Sequence, residues 1–212
     1  MRFKRGDHIC SIYSTTAELG RTVGSFLADG LRRGERCWYV ASGGETDAVR
    51  GALLTHDVDV TSQTSRGALR LIADEGAYVV HGGFNPESTI QVFNDAIEQA
   101  YTDGFTGFRA AADMSWAMDC EDGPSQLIEY EALLRSLFAN CRAIGLCMYD
   151  RQRMPLAVIN GALATHPIAG SHGQCHANPF YDAKTERISA VDDDAVLAKL
   201  ARIDRPSSSR RT

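Results

Sequence analysis

The sequence predicts an α/β fold, a three-layer sandwich in which helices cover both faces of a mostly parallel central sheet. Three observations lead there. Short runs such as HICSIY (8–13), RCWYVAS (36–42) and AIGLCMYD (143–150) are apolar nearly throughout rather than alternating, as strands buried on both faces are. Longer segments between them carry apolar residues at helical spacing. The two kinds alternate along the chain, the order in which crossover helices join parallel strands.

After the first strand, residues 17–34 predict a helix with Leu19, Val23, Phe26, Leu27 and Leu31 on one stripe, closed by Gly34. RCWYVAS is the second strand, 45–57 a helix, ALRLIA (68–73) a short strand and 87–104 a helix. A strand at 107–115, a helix at 125–141, the strand 143–150 and a short helix at 155–167 complete the series. Residues 171–186 are polar and turn-rich, which predicts irregular structure. The domain reading is a sensory domain over 1–185, an amphipathic helix ending at 203 within 186–203, and a disordered tail, DRPSSSRRT, over 204–212.

Composition excludes several classes of function. A net charge of -5 gives no electrostatic reason for nucleic-acid or anionic-membrane binding. No stretch approaches the roughly 20 apolar residues of a membrane span, and MRFKRGDH is not followed by the apolar run of a secretory signal. The expectation is a cytoplasmic protein. Its six cysteines (10, 37, 120, 141, 147 and 175) are scattered, and Cys37 and Cys147 lie inside core-like strands, so they read as reduced structural thiols.

The loop between the first strand and helix invites comparison with a phosphate loop, G-x-x-x-x-G-K-[ST]. This chain offers Thr15, four residues, then Gly20, Arg21 and Thr22. The first glycine and the lysine are missing, Glu18 puts negative charge where phosphates would sit, and arginine is bulkier than lysine. No ATP is expected as a cofactor, and ATP hydrolysis by the standard mechanism is not expected.

The element order nevertheless resembles that of the RecA and KaiC ATPases over about residues 8–150. The phrase FLADGLRRGERCWYVA leads into the second strand, Glu45 follows it where that group keeps a catalytic carboxylate, and AAADMSW resembles the strand ending in the magnesium-associated aspartate, here Asp113. The resemblance implies a RecA-like scaffold with a degenerate phosphate loop. A narrower resemblance rests on seven phrases in order: GDHICSIY, FLADGLRRGERCWYV, GGFNPE (82–87), ADMSWA, LIEYEALL, LCMYDRQRMP and ALATHP. Together they resemble the MEDS domains, sensory modules of methanogens and methylotrophs named with the dichloromethane regulator DcmR.

That resemblance implies a role in prokaryotic signal transduction and transcription regulation, with small hydrocarbon derivatives as ligands. Such domains occur beside DNA-binding, histidine-kinase or anti-sigma-type modules. Too few residues follow 181 for a kinase, and no helix-turn-helix precedes Gly6. The expected partner is therefore a separate kinase, anti-sigma or transcription regulator, with loss of an output module as the other reading. The open sheet edges permit a homodimer.

In an open α/β sheet, ligands bind beyond the carboxyl ends of the strands. Those ends collect Tyr13, Ser42, Glu45, Asp113, Trp116, Tyr149 and Asp150. Trp116 and the tyrosines suit an apolar or aromatic small molecule, and Asp113 and Asp150 suit a polar group or cation, or else cap the following turns. Within the helix at 125–141, Glu129 and Glu131 project about 200° apart, so they cannot act as a pair. Tyr130 and Glu131 are the better candidates to face the site.

His8 and Cys10, two apart on a strand, point to one face about 6.5–7 Å apart and could share a metal ion, a haem or a ligand. Two ligands fall short of the four typical of zinc. His166, in the family-like ATHP phrase, is a further ligand candidate, whereas His172, Cys175 and His176 have spacings that fit no standard finger. Redox sensing by Cys10 is another reading, and it requires a lowered thiol pKa. No G-x-S-x-G elbow, H-E-x-x-H or recognisable catalytic Cys-His context is present, so no hydrolytic site is expected.

Overall fold

A computed structural model describes residues 3–72, 79–80, 83–120, 122–188 and 190–205. Seven strands form one sheet: β1 (His8–Tyr13), β2 (Arg36–Val40), β3 (Leu69–Ile72), β6 (Phe108–Asp113), β7 (Ala143–Asp150), β8 (Ile168–Ser171) and β9 (Gln174–Ala177). Their spatial order is β3-β2-β6-β7-β1-β8-β9, and all pairs are parallel except β8 with β9. A separate two-stranded ribbon pairs β4 (Val79–Val80) with β5 (Gly83–Phe84). The helices are α1 (Thr16–Arg32), α2 (Thr46–Thr55), α3 (Val60–Ser65), α4 (Pro86–Thr102), α5 (Gly123–Asn140), α6 (Leu156–Thr165) and α7 (Asp193–Ile203). None among the described residues is long and apolar enough to cross a membrane.

Strand alternation sorts the core into two layers. From β1, Ile9 and Tyr13 pack with α1 and α2, whereas Cys10 and Ile12 pack with α4, α5, α6 and α7. From β7, Ile144, Leu146 and Met148 face the first layer, and Cys147 and Tyr149 the second. The expected three-layer, mostly parallel α/β architecture is therefore present. Leu19, Val23, Phe26, Leu27 and Leu31 of α1 are all buried, as their stripe predicts. The C-terminal helix buries Val196, Leu200 and Ile203 in the second layer.

Three local features depart from the expectations. Residues 171–186 are not wholly irregular, because β8 and β9 form a hairpin whose two loop residues, His172 and Gly173, take φ of 50° and 74°. Positive φ at both positions is the primed-turn geometry that suits the strand twist, and a histidine in place of the usual asparagine hides the signal. The short α3 lies where no element is expected; Asp59 caps it by accepting the Ser62 amide. The strand expected over 107–115 ends at Asp113, and Ser115–Asp119 form a 3-10 turn that carries Trp116. Ala73 of the expected third strand, Gly82 of the GGFNPE turn and residues 206–212 of the tail lie outside the described residues.

Gly145 on β7 faces His8 in register, and a Cβ there would stand 2.3 Å from the Phe138 ring of α5. The missing side chain lets Phe138 lie against the sheet beside the His8 ring, at a centroid separation of 5.1 Å. Gly145→Ala is expected to cost about 1–3 kcal/mol through overpacking. The check is a urea unfolding midpoint that falls while the slope stays that of the wild-type protein.

Candidate functional site

The loop that resembles a phosphate cradle is filled by the chain itself. Thr15 caps α1 by accepting the Glu18 amide at 3.2 Å. The buried Glu18 carboxylate then turns back: one oxygen accepts the Ser14 amide at 3.1 Å and the other accepts the His172 amide at 2.7 Å. The His172 imidazole Nδ1 stands 3.1 Å from the same carboxylate. An internal anion thus takes up two amides beside the start of α1, one from the loop before it and one from the β8–β9 hairpin. His172 belongs to this contact and to no metal cluster among the described residues. His176 faces the Ile203 carbonyl at 3.2 Å.

The sequence-predicted site residues separate into two groups. At the carboxyl rim, the Asp113 Oδ1 accepts from the Tyr13 hydroxyl (3.1 Å), the Ser115 hydroxyl (3.0 Å) and the Ser115 amide (3.3 Å). Tyr13 reaches across the end of β7, which lies between β1 and β6. The other oxygen, Asp113 Oδ2, is buried with no hydrogen-bond partner among the described residues. Ser42 Oγ, Glu45 Oε2 and Thr46 Oγ1, at the end of the neighbouring β2, are buried and without hydrogen-bond partners in the same sense. Burial, then the charge of Glu45, pushes the Asp113 carboxyl up to about 6, against the pull of its Ser115 and Tyr13 hydrogen bonds.

A group of aromatic rings, Trp116 of the 3-10 turn after β6 among them, packs in the second core layer. The Phe84 ring lies 4.2 Å from that of Trp116 and stands edge-on to Tyr130, at centroids 5.2 Å apart. The Asp150 side chain accepts the Gln152 amide at 2.8 Å, capping the turn after β7.

The second group lies deeper, between β1, β7 and α5. His8 Nε2 and His166 Nε2 each stand 3.2 Å from Glu131 Oε2. Cys147 Sγ is 3.5 Å from His8 Nε2 and 3.7 Å from Glu131 Oε2. All four residues are buried. The Tyr149 hydroxyl donates to the other Glu131 oxygen. His166 Nδ1 lies 2.8 Å from the Ala162 carbonyl, so an N–H there satisfies a buried acceptor and leaves Nε2 toward the cluster. Burial opposes the charge on Glu131, but the His166 and His8 rings outweigh it and hold the carboxyl well below its ordinary range. Burial, with the His166 ring close by, lowers His8 to about 4.

Cys10 is next to this cluster without joining it. It is the register partner of Cys147 on β1, yet the four atoms brought together come from His8, Glu131, Cys147 and His166. His8 reaches diagonally across to Cys147 on β7, the register partner of Cys10. Burial and the Glu131 charge raise the Cys10 thiol well above its ordinary value, the reverse of what a redox-sensing thiolate needs. Cys147 is the residue that sequence reasoning misses. Only the β1–β7 pairing, which no local pattern reveals, sets it beside His8.

A model of the family described as the MEthanogen/methylotroph, DcmR Sensory domain matches residues 7–167. The chain belongs to the MEDS family. This MEDS chain is similar in fold to the flagellar accessory protein FlaH from Methanocaldococcus jannaschii, with 11% identity, a TM-score of 0.56, and coverage of 80% of this chain and 72% of that one. It is similar to the same extent to a KaiC-like protein from the hyperthermophilic archaeon Pyrococcus horikoshii OT3, at 10% identity, a TM-score of 0.57 and the same coverage. At such identity the likeness shows the RecA-type fold alone. No curated protein sequence matches the chain.

Asp113 supplies a pH signature. Its folded pKa lies near 6, above the ordinary 3.8, so the folded state binds more protons between about pH 4 and 6. Its contribution to stability is therefore lost as pH rises through that window, by about 2 kcal/mol. The facing groups are Tyr13, Ser115, Glu45 and the more distant Arg153. Asp113→Asn keeps an acceptor for Tyr13 and Ser115 but cannot titrate. The difference in unfolding free energy between variant and wild type should therefore grow in favour of the variant from pH 4 to pH 7.

Proposed function

We propose that this MEDS domain receives a small polar organic molecule at the carboxyl rim and passes the change to a separate signalling protein. One observation carries the reading: four buried oxygens, Ser42 Oγ, Glu45 Oε2, Thr46 Oγ1 and Asp113 Oδ2, lack hydrogen-bond partners among the described residues at the ends of two adjacent strands. Buried polar atoms left unpaired cost about 1–3 kcal/mol each, so a partner from outside the protein is favoured there. The position also fits. β2 continues into α2 on one face of the sheet and β6 leads to α5 on the other, the arrangement that opens a crevice in α/β sheets.

The chemistry of the rim selects a class of ligand. Two carboxylates accept hydrogen bonds and two hydroxyls accept or donate, so the ligand must bring donors. An alcohol or amine carrying a short hydrocarbon part meets that need, with the Trp116, Phe84 and Tyr130 rings as the apolar wall. Nucleotide binding is disfavoured because Glu18 holds the amides of Ser14 and His172 at the loop, and its charge repels a phosphate. The chain is accordingly proposed to be a receptor rather than an ATPase. Its output partner would be a kinase, an anti-sigma factor or a transcription regulator.

Trp116 reports directly on this site. In a Trp38→Phe background, titration with short alcohols and amines should give a saturable change in Trp116 fluorescence for at least one of them. Asp113→Asn or Thr46→Val should weaken that binding about tenfold, the effect of losing one hydrogen bond of about 1.4 kcal/mol. Magnesium-ATP should give no saturable signal, and Arg21→Ala should leave the response to the organic ligand unchanged. Tight magnesium-ATP binding that Arg21→Ala abolishes would sink the receptor reading.

A further inference from the structure

We propose that His8 Nε2, Glu131 Oε2, Cys147 Sγ and His166 Nε2 form a closed tetrahedral site for one divalent transition-metal ion of the zinc class. This site stands independently of the ligand rim.

The spacing of the four atoms carries the inference. Zinc bonds of roughly 2.0–2.1 Å to imidazole nitrogen or carboxylate oxygen, and about 2.3 Å to thiolate sulfur, set the edges of a tetrahedron. Those edges are about 3.3–3.4 Å between nitrogen and oxygen and about 3.6 Å when one end is sulfur. The protein holds His8 and His166 each at 3.2 Å from Glu131, and Cys147 at 3.5 Å from His8 and 3.7 Å from Glu131. Every pair among the four lies within 4.8 Å.

A second observation is the direction of a lone pair. His166 Nε2 is buried and close to Glu131 but makes no hydrogen bond among the described residues. Its Nδ1 is the nitrogen that faces the Ala162 carbonyl, so an N–H there leaves Nε2 as a free donor of electrons. With the proton on Nδ1, the Nε2 lone pair and the Glu131 oxygen stand 3.2 Å apart and repel each other unless a cation lies between them. The surroundings are those of a supported ligand set. The Tyr149 hydroxyl takes one Glu131 oxygen and leaves the other for the ion, and the Ala162 carbonyl orients His166. His8 Nδ1 is without such support among the described residues.

Charge and softness select the ion. Binding releases the Cys147 thiol proton to solvent, and the resulting thiolate and the Glu131 carboxylate together cancel a 2+ charge, leaving a neutral buried centre. Thiolate and imidazole donors disfavour magnesium and calcium, and a tetrahedral arrangement of mixed nitrogen, oxygen and sulfur donors suits zinc. All four residues are buried, with no face open to water. That is the pattern of a site that stabilises or senses rather than one that turns over substrate.

The test uses the full 212-residue chain, stripped with a chelator and titrated with Zn(II) or Co(II). One ion per chain should bind, zinc-edge X-ray absorption should show one sulfur and three nitrogen or oxygen neighbours, and the Co(II) form should show a thiolate charge-transfer band with tetrahedral visible bands. Cys147→Ser should lose the charge-transfer band, and Cys10→Ser should keep it. The wild-type spectrum needs no variant to fold and by itself decides the sulfur count. Folded wild-type protein that binds no equivalent of metal, a zinc shell with no sulfur or with two, or loss of the band in Cys10→Ser rather than Cys147→Ser would each overturn the proposal.

Discussion

The second core layer is built around one buried carboxylate. Glu131 projects from the inner face of α5 onto the β1–β7 pair, fully removed from water, where an isolated charge would be prohibitive. It is tolerated because His8, His166 and Tyr149 converge on it, each from a different element. That convergence constrains much of the fold. β1 must pair with β7 for His8 to lie beside Cys147, α5 must present Glu131 at that register, and α6 must end where His166 can turn inward. Gly145 and Phe138 lie beside His8, at the start of β1.

A separate device operates at the loop after β1. A strand-to-helix turn on a RecA-type sheet presents free amides and a helix N-terminus, which attract an anion. Here the anion is Glu18, and the β8–β9 hairpin clamps it through His172. Four of the buried oxygens without hydrogen-bond partners among the described residues lie elsewhere, at the ends of β2 and β6. A fold shared with KaiC-like proteins thus carries a carboxylate of its own at this loop.

Much of this architecture was legible in the sequence. Uninterrupted apolar runs identify doubly buried strands, and the Leu19, Val23, Phe26, Leu27 and Leu31 stripe identifies α1. The degenerate loop announces itself through Thr15, Glu18 and Arg21. Of the candidate site, His8, Glu131, Tyr149 and His166 could be named from resemblance and position, but not joined. They lie up to 158 residues apart, and what joins them is the spatial order of strands, which local patterns do not encode. Cys147 illustrates the same limit, since inside an apolar run a thiol reads as a small core residue. The β8–β9 hairpin escaped for a different reason, as a His-Gly turn lacks the usual asparagine or aspartate signature.

If the Glu131 charge organises this core, removing the charge while keeping the shape must be costly. The most direct measurement is urea unfolding of Glu131→Gln beside the wild-type chain at pH 7. Loss of about 3–5 kcal/mol is predicted, the scale on which breaking a buried ionic cluster destabilises a protein. A Glu131→Gln protein as stable as wild type, or more stable, would contradict the claim that this carboxylate holds the site and the surrounding core together.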